Sequence, residues 1–164
     1  MRIERAVEIP VSSALALQGL ADISARDLGA IAELATSSGE ALLEKSGLVR
    51  LDEANACHFG AQLARILPLG EGPIRTLQLR WWNDKARSLT PGFIGEVQVR
   101  SVADQLTELA IVGQYYPRAH LYELGDPALL GGMATAVVAS LLERLRDRIL
   151  HSTSRPAEVH SVAS

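Results

Sequence analysis

From Ile74 to Tyr115 the chain alternates apolar and polar residues in successive runs, a pattern that few architectures accommodate. In "IRTLQLRWWND" Leu77, Leu79 and Trp81 fall on one side, and Gln78, Arg80 and Trp82 on the other. In "PGFIGEVQVRS" Phe93, Gly95, Val97 and Val99 oppose Ile94, Glu96, Gln98 and Arg100. A period of two marks a strand with one buried face. "VADQ" supplies a reversal with Asp104 at its tip, and "TELAIVGQYYPR" returns as the next strand. There Thr107, Leu109, Ile111, Gly113 and Tyr115 share a face, and Tyr116 turns the other way. Strands joined by turns this short pair antiparallel, as a meander. "HFGAQLARILPL" before the turn signal "GEGP" reads as a further strand and "LVRLDE" as a short edge. "RIERAVEI" is the first strand, stopped by Pro10.

A long helix follows the meander. Asp126 stands at its N-cap and Pro127 at its first position, the order expected of a helix start. Leu130, Ala134, Val137, Val138, Leu141, Leu145 and Ile149 form its apolar stripe. Charges crowd the other side only in the C-terminal half, so the N-terminal half is expected to be covered on both sides. Its small residues (Gly131, Gly132, Ala134, Ala136 and Ala139) leave space rather than fill it. After the first strand, Ser12 or Ser13 caps a short helix with Leu15, Leu17 and Leu20. A helix from Ser24 carries Leu28, Ile31, Leu34 and Ala35, and is expected to break near Ser37-Ser38-Gly39. A further short helix then holds Leu42 and Leu43. The order is α+β. It predicts a curved antiparallel β-sheet of about six or seven strands wrapped round the long C-terminal α-helix, with short helices after the first strand. Residues 1–150 form a single domain in this reading, and 151–164 a flexible C-terminal tail.

Composition narrows the function. The 164 residues suit one domain with a sizeable core, and 48% hydrophobic with 21% charged residues is ordinary for a globular protein. A net charge of -3 argues against sequence-independent nucleic-acid binding. The single cysteine, Cys57, excludes an intrachain disulfide and a thiolate zinc site. His58, His120, His151 and His160 lack ligand spacing, so no metal is expected, and no cofactor motif is present. The first residues have no apolar leader, and no membrane span is expected, which predicts a cytoplasmic protein.

Candidate chemistry is thin. His58, beside Cys57, could act as a general base or half of a thiol–imidazole pair, but neighbours on a strand point to opposite faces, which favours a structural or surface role. No nucleophile elbow, phosphate loop or carboxylate dyad occurs. Arg5 falls in phase with Ile3 and Val7, so its guanidinium either snorkels out or meets a polar partner. Tyr115 is the inward member of its pair, with a hydroxyl able to orient a ligand.

Three stretches, "LQLRWW", "FIGEVQVRSVADQLTELAIVGQYYPR" and "GGMATAVVASLLERL", resemble the SRPBCC superfamily. This is the START-like or helix-grip group that includes polyketide cyclases and aromatases. Bacterial members have a similar final strand, T-x-L-x-L-x-G-x-Y-x-P, matched by Thr107, Leu109, Ile111, Gly113, Tyr115 and Pro117. The resemblance covers the C-terminal half and implies a fold with a hydrophobic pocket, without a shared catalytic group. The candidate lining is Arg5, Leu79, Trp81, Phe93, Val97, Ile111, Tyr115, Met133 and Val137. Three functions stay open. The chain binds or carries a small hydrophobic molecule between sheet and helix; or it is a cyclase or aromatase-like enzyme using that pocket. The third is an interaction module with a filled core, in which outer-face Trp82, Ile94, Val112 and Tyr116 form a homodimer contact.

Overall fold

The computed structural model describes residues 1–45, 47, 59–65, 74–83, 91–117, 121 and 126–153. Strand β1 (Arg2–Ile9) leads into helices α1 (Ser13–Ala21) and α2 (Ala25–Lys45). Strands β2 (Phe59–Arg65), β3 (Ile74–Asn83), β4 (Pro91–Ala103) and β5 (Leu106–Tyr115) follow, and helix α3 (Pro127–Thr153) ends the order. The five described strands form one antiparallel sheet in the order β1-β5-β4-β3-β2. The meander is as expected, with β1 folding back to pair with β5. Against an expectation of six or seven strands, five lie among the described residues, and "LVRLDE" lies outside them.

Local signals start the elements. Ser12 Oγ accepts from the Leu15 N–H at 3.4 Å, and Ser24 Oγ from the Asp27 N–H at 3.1 Å. Asp126 Oδ1 accepts from the Ala128 and Leu129 N–H groups at 2.9 and 3.3 Å, capping α3. The β4–β5 reversal turns on Asp104 and Gln105. The α3 helix continues through Thr153, three residues into the stretch expected as tail; residues 154–164 lie outside the described set.

Two expectations for the helices are corrected. No break occurs at Ser37-Ser38-Gly39: α2 is one helix of 21 residues. The Thr36 and Ser38 hydroxyls donate back to the Ala32 and Leu34 carbonyls, both at 2.8 Å, so these residues join the helix instead of ending it. Gly39 faces α3, where a Cβ would overlap Val137 Cγ2 and sit 3.1 Å from the Met133 carbonyl oxygen. Its role is close helix approach. The second correction concerns apolar positions: Leu15, Leu34 and Leu42 point to solvent, whereas Leu20, Leu28, Ala35 and Leu43 are buried.

The helices lie against the sheet, with α3 touching β1 and β5, α2 touching β2, and α1 touching β4 and β5. All seven residues of the α3 stripe are buried. By length and composition α3 could cross a membrane, yet that stripe is taken up by the sheet and the other helices. Its far side is not sealed as expected: Gly131, Thr135, Ala136, Ala139 and Ser140 are half-buried and Gly132 is exposed. Near the end of α3, Asp27 pairs with Arg148 at 3.1 Å, so α2 and α3 run antiparallel.

Candidate functional site

Pairing brings three aromatic residues into one row across the sheet. Trp81 on β3 lies opposite Phe93 on β4, which lies opposite Tyr115 on β5. Parity puts all three on the helix side, and all three are buried. The Trp81 and Phe93 rings stack at 4.4 Å with planes 10° apart, and Tyr115 stands tilted 6.4 Å from Trp81. The Met1 ammonium donates to the Tyr115 carbonyl at 2.8 Å, which ends the row at the start of β1.

Two glycines make the stack possible. Gly95 and Gly113 pair across β4 and β5. A Cβ on Gly113 would lie 2.5 Å from Phe93 Cζ, and one on Gly95 would lie 2.8 Å from Phe93 Cε1. The Phe93 ring therefore lies flat over both. Parity alone has Gly113 leaving space beside Tyr115; that space holds a phenyl ring.

A third glycine shapes the indole. The β3–β4 register shifts between Trp81 and Trp82, leaving Gly92 as the extra residue of a bulge. A Cβ on Gly92 would meet Trp81 Nε1 at 2.7 Å and Cδ1 at 2.8 Å, so only glycine lets the indole edge settle there. Trp81 is fully buried, and its Nε1–H has no hydrogen-bond partner among the described residues. A buried indole donor ordinarily finds one. Trp82, on the other face, is 37% exposed.

Beside this row a groove of about 400 Å³ runs along β1, lined by Met1 to Arg5 and, on α3, by Gly131 and Thr135. Among the described residues, a Cβ on Gly131 or Gly132 would meet nothing within 4 Å. Gly131 thus leaves room on the groove wall, whereas Gly132 is exposed to solvent.

Of the nine candidate residues, Leu79, Trp81, Phe93, Val97, Ile111, Tyr115, Met133 and Val137 join one buried cluster. Arg5 stands apart, exposed, in the groove. Thr107, also inward, is committed elsewhere: its hydroxyl donates to the Val11 carbonyl at 2.7 Å. Sequence reasoning missed Gly92 and Thr135. The bulge at Gly92 had no local signal, whereas Thr135, one turn after Gly131 in an apolar run, could have been noticed. His58, Cys57 and Asp84 lie outside the described residues, and no metal-ligating cluster occurs among those described.

No family model and no curated sequence matches the chain. Solved structures do. A conserved protein from Geobacillus kaustophilus superposes with a TM-score of 0.52 at 10% identity, over 93% of this chain and 97% of that one. The Zhui aromatase/cyclase from Streptomyces sp. R1128 gives 0.45 at 14% identity, over 96% and 98%. The protein TTHA0849 from Thermus thermophilus gives 0.45 at 13% identity, over 94% and 100%. The chain shares with the Geobacillus protein an α+β architecture of an antiparallel sheet and a long C-terminal helix. At 10% identity the likeness is one of architecture.

Proposed function

We propose that the protein binds a small, largely apolar molecule that carries a hydrogen-bond acceptor, between the sheet and α3 at the Trp81 end. The observation that carries this reading is the buried Trp81 Nε1–H with no partner among the described residues. Leaving such a donor unmet costs about 1–3 kcal/mol, which a phenyl ring at the same place would avoid. A ligand carbonyl or ether oxygen supplies the missing acceptor, and the surrounding apolar wall supplies the affinity. Under this reading the chain is an SRPBCC member, the group its Thr107–Pro117 pattern resembles. A cyclase or aromatase-like activity in the same pocket is the enzymatic form of the proposal. It has few polar groups to draw on, since Thr107 is already bonded to Val11.

The test uses two neutral probes of nearly equal shape, 2-acetylnaphthalene and 2-ethylnaphthalene. Calorimetry measures their affinities, and emission from the Trp82→Phe protein reports on Trp81 alone. The ketone is expected to bind about three- to tenfold more tightly, the worth of one net hydrogen bond. Trp81→Phe should erase that difference. Equal affinities, or no change in Trp81 emission, would overturn the proposal.

A filled interior is the second reading, favoured by the Phe93 ring seated on Gly95 and Gly113. The protein would then act through its outer sheet face, where Trp82 and Ile94 are each 37% exposed.

A further inference from the structure

The apolar row accounts for one part of a ligand; the groove beside it has a different chemistry. We infer that the β1–α3 groove holds the anionic head of an amphipathic ligand, a carboxylate on an apolar body, with Arg5 as the residue that selects it. This rests on the proposal that the interior takes up an apolar molecule. Arg5 shares the α3-facing phase of Ile3 and Val7, while Arg2 and Glu4 line the groove from the other face of β1. Among the described residues its guanidinium has no ion pair or hydrogen bond.

Thr135, on the opposite wall, adds a second donor. Four helix hydroxyls, those of Thr36, Ser38, Ser152 and Thr153, donate back to a carbonyl of their own helix, whereas among the described residues those of Ser37 and Ser140 do not. The Thr135 hydroxyl makes no such bond among the described residues, although Gly131 lies one turn before it. A guanidinium and a hydroxyl across a groove widened by Gly131 suit a carboxylate, which accepts from both. The groove meets the aromatic row at Met1, whose ammonium is bonded to Tyr115, so head and body sites adjoin.

The experiment compares dodecanoate with dodecanol by calorimetry at pH 7, with 2-acetylnaphthalene as the measure of the interior site. Wild-type protein should prefer dodecanoate about three- to tenfold, as a partly exposed charge-assisted contact allows. Arg5→Gln should abolish that preference and leave dodecanol and the ketone unchanged. Arg26→Gln, an equal charge change on exposed α2, should keep it. Equal binding of acid and alcohol, or a preference that survives Arg5→Gln, overturns the carboxylate site even while the ketone still binds. Failure of the ketone and both alkyl probes overturns the interior reading and this inference with it.

Discussion

The two ends of the space between sheet and helices are built by opposite rules. At the end where β1 runs into α1, Ile9, Val11, Ala16, Leu20, Leu109, Leu145 and Ile149 are buried together. Polar groups there are matched, as in the Thr107 hydroxyl on the Val11 carbonyl. Gly19 draws α1 against α3: a Cβ there would lie 3.2 Å from the Ile149 Cα. At the Tyr115 end the interior is aromatic, a donor is left unmet on Trp81, and Gly131 and Gly132 face open space. One end is built for packing. The other keeps an unused donor and an unfilled groove, features that the proposed ligand site would explain at some cost in stability.

The largest expected effect lies at the packed end. Leu145→Ala removes a fully buried side chain and should lower the unfolding free energy by about 2–5 kcal/mol in urea titrations. Probe affinities of the remaining folded protein should not change. If they fall in parallel with stability, the two ends are not independent and the contrast fails. A smaller effect is expected from Thr107→Val, which keeps the shape but strands the Val11 carbonyl. The loss should be about 1–3 kcal/mol, again without a change in ketone affinity. A neutral result would mean that water or another donor reaches that carbonyl.

Face assignment was legible along β3, β4 and β5, apart from outer-face Ala110, which is buried, because alternation states it directly. Leu77, Leu79, Trp81, Phe93, Val97, Val99, Leu109, Ile111 and Tyr115 are all buried, and Trp82 and Ile94 are exposed, as parity requires. The α3 stripe and its Asp126 cap were equally plain. What could not be read depends on partners distant in sequence. The Ser37-Ser38-Gly39 stretch looks like a break locally, and only α3, nearly a hundred residues later, explains why glycine is there. Parity puts Phe93 and Gly113 on one face but says nothing of the rotamer that lays the ring over the glycine. The row Trp81–Phe93–Tyr115 depends on strand register, which the bulge at Gly92 resets. Arg5 was marked by its phase, and the groove it lines emerged only once β1 and α3 were side by side.

The smallest predicted effect has the opposite sign and separates the ends most cleanly. Gly131→Ala restores helix propensity worth up to about 1 kcal/mol, and the added methyl meets no described atom within 4 Å. Stability should therefore rise, seen as a higher urea midpoint. The same change at Gly39 gains the same propensity but forces a methyl onto Val137 and toward the Met133 carbonyl. Overpacking of that kind costs about 1–3 kcal/mol, so Gly39→Ala should come out destabilised on balance. If Gly131→Ala is instead destabilising, the space beside α3 is occupied in solution and the groove is not open to a ligand. If it stabilises and also weakens dodecanoate binding, the glycine is kept for the width of the groove, a constraint that helix stability alone would remove.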